Sequence, residues 1–230
     1  FTGCKKEDND AGVSEMAQKS EKEAVSEVAT QDEMFTDKEF DVSFDVSAMA
    51  HITITEDGFS CEERAVTIEE DRIVIEQEGS YYVTGSSTNG QIIVNVEDTE
   101  DVRLVLDGVD LNCESSAPVY VLRADEVTIT TAPDSQNTLS VSKEFVAIDE
   151  NNIDAAIFSK GDLTLNGEGS LQIDAAYGHG IVSKDDLKIT GGTYQITAAS
   201  HGLSGKDSVR IADGNFVITS GDDGIHSTGD

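Results

Sequence analysis

The chain has 230 residues, 37% of them hydrophobic and 6% aromatic, with 15 Lys and Arg against 46 Asp and Glu, for a formal net charge of −31. Nucleic acid is excluded as a natural partner, because binding a polyphosphate calls for a basic patch that releases counterions and no run of Lys and Arg occurs. No stretch of about 18 apolar residues is present, so no helical membrane span is expected, and the charge points to cation uptake or to a very soluble exported surface.

At the start of the chain, Phe1-Thr2-Gly3-Cys4 resembles the end of a bacterial lipobox, in which small residues precede a Cys that takes the lipid. Cys4 is therefore the expected lipidation site, and lipid there the expected membrane contact. Lys5 to Asp45 carries 13 acidic and 5 basic residues with no sustained apolar stripe. Such a segment buries too little apolar surface to offset its ordering entropy. Residues 1–45 are thus expected to be a lipobox remnant followed by a disordered acidic tether, with only a weakly amphipathic stretch at Ser14 to Val28. Cys61 and Cys113 are either one disulfide of an exported protein or two buried thiols.

From Val46 onward the pattern changes to short alternating runs punctuated by Gly, Asp and Asn, which is the grammar of strands. One unit then recurs: Ala156-Ile157-Phe158-Ser159-Lys160, Gly180-Ile181-Val182-Ser183-Lys184, Gly202-Leu203-Ser204-Gly205-Lys206 and Gly224-Ile225-His226-Ser227, spaced 24, 22 and 22 residues. Three strands are read per repeat. The first carries Ile92, Val119, Ile157, Ile181, Leu203 and Ile225. The second carries Leu104, Ile129, Leu165, Ile189 and Ile211, and the third Leu111, Val141, Ile173, Ile196 and Ile218. Asp107-Gly108, Asn166-Gly167, Gly191-Gly192 and Asp213-Gly214 mark corners that need positive φ. The fold class predicted is all-β, a right-handed parallel β-helix over residues 46–230 with three strands per coil. Residues 46–85 would form its first coils and cap. Because the last repeat stops after one strand, the natural protein is expected to continue past Asp230.

Alternation sorts the side chains. With Ile157, Ile181, Leu203 and Ile225 inside, Tyr120, Phe158, Val182, Ser204 and His226 point outward. Lys160, Lys184 and Lys206 also point outward, about 4.8 Å apart per coil. They form either a solvated salt-bridge ladder with Asp162, Asp185, Asp186 and Asp207 or a basic stripe that grips carboxylates. Just before the recurring unit, the turns Asp154-Ala155, Gly178-His179, Ser200-His201 and Asp222-Asp223 form a second column, in which His179, His201 and Asp223 share one phase. It is an idle turn, a metal site built on Asp154, Asp222 and Asp223, or a pair of imidazoles for sugar hydroxyls. The long connection Ser142 to Ala155 should overhang the same edge. Tyr194 and Phe216 alternate with inward Ile196 and Ile218 and are expected in the core.

The runs Asp101-Val102-Arg103-Leu104-Val105-Leu106-Asp107-Gly108-Val109, Ala155-Ala156-Ile157-Phe158-Ser159-Lys160-Gly161-Asp162-Leu163, Ser183-Lys184-Asp185-Asp186-Leu187 and Gly205-Lys206-Asp207-Ser208-Val209 resemble the clostridial family of carbohydrate-binding domain-containing surface proteins, β-helices shaped like polysaccharide lyases. The resemblance covers residues 40–230. It implies binding of cellulose or of an acidic, pectin-like polysaccharide, with Ca²⁺ held by the helix and no established lyase activity. His179 and His201 stand where the family often has Asp, which leaves Asp223 the better calcium ligand. The ligand-binding residues expected are Lys160, Lys184, Lys206, His179, His201, His226, Tyr120 and Phe158.

Three classes of function compete at this point. A lyase needs a base for the C5 proton and a cation at the uronate carboxylate, and no one constellation here stands apart from its neighbours. Binding without catalysis is preferred, by a lipid-anchored extracellular monomer; a surface spacer or adhesin is the third class. With no Trp in the chain, ionic capture of an acidic sugar is expected over stacking on cellulose.

Overall fold

A computed structural model describes residues 34–62 and 65–229. The compact unit that holds the described strands begins at Phe35. The readings at Cys4 and along the acidic tether through residue 33 lie outside the described residues.

The unit opens with a one-turn helix, α1 (Asp37–Phe40), and a 3₁₀ turn (Val46–Ala48). Strands β1 (Ala50–Thr55), β2 (Gly58–Ser60), β3 (Val66–Glu69), β4 (Arg72–Ile75), β5 (Gly79–Ser87), β6 (Gln91–Asn95) and β7 (Val102–Cys113) follow. The repeats then contribute three strands each. These are β8 (Val119–Arg123), β9 (Glu126–Thr131) and β10 (Gln136–Val141); β11 (Ala155–Ser159), β12 (Asp162–Gly167) and β13 (Ser170–Ala175). After them come β14 (His179–Ser183), β15 (Asp186–Ile189) and β16 (Thr193–Ala198); β17 (Leu203–Gly205), β18 (Ser208–Ile211) and β19 (Asn215–Ser220); and β20 (Ile225–Ser227).

The predicted registers appear in the first two strands of each repeat, while the third slips by two residues at β10, where Leu139 and not Val141 lies between Leu111 and Ile173. Ile157 lies opposite Val119 and Ile181, and Leu203 opposite Ile181 and Ile225, all in parallel pairs. Leu165 pairs with Ile129 and Ile189, and Ile196 with Ile173 and Ile218. Except for Ile225, which was expected inside but is 51% exposed on the last strand, and Ile218, which is partly buried against it, these aliphatics fill one continuous core, and each fully buried side chain contributes about 1.5–3 kcal/mol relative to exposure.

The predicted architecture does not hold. The strands do not form three separate columns of a right-handed parallel β-helix; they form two sheets. Twelve strands make one, in the order β18-β15-β12-β9-β7-β10-β13-β16-β19, with β1, β2 and β5 attached. This sheet is parallel apart from the β1–β2 hairpin and curls into a half-barrel. The second is an eight-stranded mixed sheet, β20-β17-β14-β11-β8-β6-β4-β3, whose last pair is antiparallel. The difference originates in β7. Its Asp107-Gly108 corner has positive φ at Gly108 but leaves the strand unbroken, so its first half pairs with β9 and its second half with β10. One twelve-residue strand therefore fuses the second and third columns.

Residues 35–45, read from sequence as the end of the linker, pack onto the outer face of β9, β12 and β15. Asn166 Nδ2 donates to the Glu39 carbonyl at 3.0 Å, and the Arg103 guanidinium donates to the carbonyls of Ser43 and Asp41 at 2.8 and 2.9 Å. All six residues of β9 are consequently buried, although its Val-Thr-Ile-Thr alternation reads as a half-exposed strand. Beneath this segment Lys188 Nζ lies 3.2 Å from Glu39 and 3.1 Å from Asp162. Tyr194 and Phe216 stack in the core column with centroids 5.1 Å apart, as expected.

Candidate functional site

The outer face of the eight-stranded sheet is divided by the excursion 142–154. Phe145 and Ile153 from this segment join Ile93, Ala117, Tyr120, Ala155, Phe158 and Val182 in a second apolar cluster. Tyr120 and Phe158 are each only 1% exposed and Val182 3%. They point away from the main core, as alternation requires, but the two expected ligand-facing rings are covered. Tyr120 instead donates its hydroxyl proton to Asp149 at 2.7 Å and accepts from Asn151 Nδ2 at 2.8 Å. The signal for this cover was the apolar run Phe145-Val146-Ala147-Ile148, with Ile153, inside an otherwise acidic loop.

Beyond that cover, β14, β17 and β20 floor a shallow groove of about 240 Å³, lined by His179, Val182, Ser183, Lys184, His201, Ser204, Lys206, His226 and Thr228. Five of the eight expected ligand-binding residues meet there. Lys160 does not; it lines a separate groove of about 730 Å³ with Asn95, Asp98, Arg123, Asp125 and Asp185. The lysine stripe therefore serves two concavities.

The imidazoles form a stack. The His179 and His201 rings lie 5.0 Å apart at 14°, and those of His201 and His226 4.2 Å apart at 3°. His179 Nδ1 accepts the backbone N–H of His201 at 3.1 Å, and His201 Nδ1 accepts that of Asp223, also at 3.1 Å. A backbone N–H only donates, so both Nδ1 atoms are bare and each ring in its neutral form carries its proton on Nε2. Burial pushes the His179 pKa down, with Lys184 and His201 acting in the same direction and Asp154 opposing. At the far end His226 Nδ1 lies 3.1 Å from Asp223 Oδ2, and a carboxylate only accepts, so there Nδ1 carries the proton.

The lysines are lightly paired. Lys184 Nζ stands 5.1 Å over the centroid of Phe158, so its stem is part of what hides that ring. Lys206 Nζ is 3.8 Å from Asp207, with both side chains exposed. Among the described residues no carboxylate lies within 4.0 Å of Lys160 or Lys184. The Asp partners expected for them are spent elsewhere. Asp162 pairs with Lys188 and Asp186 with Arg210 at 3.0 Å, while burial and the charges of Asp162 and Asp207 raise the pKa of Asp185.

Asp154, Asp222 and Asp223 do not gather. Asp154 stands 3.9 Å from His179 Nε2, with its Oδ1 buried and unpartnered, whereas Asp223 faces His201 and His226. Among the described residues the one group with metal-ligand geometry is His201, Asp223 and His226. Two nitrogens and a carboxylate do not fit Ca²⁺, which takes six to eight oxygens. Cys61 and Cys113 are free thiols.

A groove floored by parallel strands, with stacked side chains recurring at each repeat, is the kind of surface that meets an extended chain. Residues 69–230 match the family of carbohydrate-binding domain-containing proteins, and the chain belongs to that family. A carbohydrate-binding domain-containing protein of Acetivibrio thermocellus is 39% identical over 144 residues, 62% of this chain. The chain spans about half (48%) of that relative's length. Among solved structures, the polysaccharide lyase-like protein from C. thermocellum, in a gadolinium derivative, matches with a TM-score of 0.76 at 34% identity, covering 78% of this chain and 74% of that one.

Proposed function

We propose that the groove over β14, β17 and β20 captures an acidic, pectin-like polysaccharide and holds it without cleaving it. The observation that carries this reading is the local inversion of sign: in a chain of net charge −31, the groove presents two ammonium groups and the Nε2–H groups of His179 and His201. Every one of these is a donor. A uronate chain offers acceptors that match them, carboxylates to Lys184 and Lys206 and ring or hydroxyl oxygens to the imidazoles. Burial of Tyr120 and Phe158 leaves the groove without an aromatic platform, which favours an acidic sugar over cellulose. Nothing in the reading passes through calcium. Attachment of the molecule at the bacterial surface through lipid on Cys4 completes the proposal, on the strength of the Thr-Gly-Cys sequence.

The test is retention of the protein on immobilised polygalacturonate and on cellulose, with calcium and with a chelator, while absorbance is followed for unsaturated product. Salt-sensitive retention on polygalacturonate alone is expected, lost in Lys184→Met/Lys206→Met, where Met at 184 keeps Phe158 covered. Equal retention of that double variant overturns the groove assignment, and growth of the absorbance overturns the non-catalytic reading.

A further inference from the structure

The end of the imidazole stack brings together three groups whose chemistry differs from the rest of the groove. His201 Nδ1 lies 3.7 Å from Asp223 Oδ2, and His226 Nδ1 lies 3.1 Å from the same oxygen. One ligand atom from each of the three residues falls within 4.8 Å of the other two. We infer that His201, Asp223 and His226 form a binding site for a borderline transition-metal cation of the zinc, cobalt or nickel type, independent of the polysaccharide reading.

Ligand chemistry selects the ion. Two imidazoles and one carboxylate suit these cations, whereas calcium and magnesium want oxygen throughout. The separations are also near those required, since ligand atoms at about 2.0–2.2 Å from a tetrahedral ion stand roughly 3.3 Å apart. Two adjustments complete the site. The ion takes the place of the proton between His226 Nδ1 and Asp223, that ring shifting its N–H to Nε2. It also takes the lone pair that His201 Nδ1 now offers the backbone N–H of Asp223. The parallel rings of His201 and His226 must splay, a small movement for Asp223, 63% exposed at its side chain, and for half-buried His226 on the three-residue β20. Three protein ligands leave at least one position open toward the groove, for water or a ligand oxygen. His179 stacks on His201, but Asp154 lies on its other side, so the third imidazole stays outside the site.

The full chain is titrated with zinc chloride by calorimetry and with cobalt chloride by visible absorbance. One saturable equivalent is expected that millimolar calcium does not displace, with affinity falling at least about tenfold in Asp223→Asn and in His226→Ala and unchanged in His179→Ala. Circular dichroism of each variant reports whether the fold is intact. Absence of saturable binding, displacement of cobalt by calcium, or an affinity unmoved by both substitutions overturns the assignment.

Discussion

The ammonium of Lys188 stands 3.2 Å from the carboxylate of Glu39, joining β15 to the helix that opens the compact unit. Asp162 at 3.1 Å and Glu126 at 3.8 Å complete the cluster. Burial disfavours the Lys188 charge, and these three carboxylates more than restore it, so the pKa is raised. Removing the cation leaves buried carboxylates facing one another. Lys188→Met should cost about 3–5 kcal/mol in urea unfolding and speed proteolysis within residues 35–45. A loss under 1 kcal/mol would show that the cluster relaxes onto Lys38, which already reaches Glu126 at 2.6 Å.

Burial also works against ionised Glu39, yet hydrogen bonds from the Thr36 hydroxyl and backbone and from Lys188 outweigh it and hold the pKa at about 2, against an ordinary 4.5. Because the folded value is the lower one, ionised Glu39 stabilises the fold fully above about pH 4.5, and this contribution fades as pH falls toward 2. It amounts to at most about 3 kcal/mol. The stability gap between wild type and Glu39→Gln should therefore be widest at neutral pH and narrow below pH 4.5. Parallel acid limbs would remove Glu39 from the pH response.

Gly167 closes β12 at φ +120, where a Cβ would sit 2.3 Å from the Thr131 carbonyl oxygen of the neighbouring strand. Both the backbone angle and the space exclude a side chain. Gly167→Ala is expected to lower stability by about 2–4 kcal/mol, read as a drop in thermal midpoint, while Gly108→Ala, with open space around its Cβ, loses less.

The Tyr120 hydroxyl is the polar latch of the 142–154 excursion, and its pKa is raised by burial and by Asp149. Tyr120→Phe keeps the ring in its cluster and removes both hydrogen bonds. About 1–2 kcal/mol should be lost, with faster amide exchange or proteolysis confined to 142–154. Uniform destabilisation would mean that the hydroxyl is not the latch, the segment being held by Phe145, Ile153 and the contacts of Lys143 and Val146 with Glu114 and Ser115.

Much of the core was legible because its signal is periodic. An aliphatic every 22 or 24 residues fixes which side chains stack, and the registers of Ile157, Ile181 and Leu203 follow from it. The covering layers were not legible, because burial there is decided between distant parts of the chain. Nothing near Thr128 or Thr164 announces that residues 35–45 lie over them, and nothing near Phe158 announces Phe145. Fusion of two strand columns through β7 depends on whether Gly108 breaks the strand or only bends it, and Asp-Gly is compatible with both. In the candidate site, the recurrence of Lys184 and Lys206 with His179 and His201 was legible as phase. Division of the lysines between two grooves, and the meeting of His226 with Asp223, required the fold.

The excursion 142–154 also sets a count. Each repeat in the sequence carries an outward residue on its first strand, but a repeat beneath this segment gives that residue to a hydrophobic cluster, as Tyr120 and Phe158 show, one beyond it gives a lining to the groove, and Val182 at the boundary does both. The number of positions available to an extended ligand is thus fixed by how far one loop reaches along the sheet and not by how many repeats the chain contains. Shortening that loop would lengthen the site without adding a repeat to the chain.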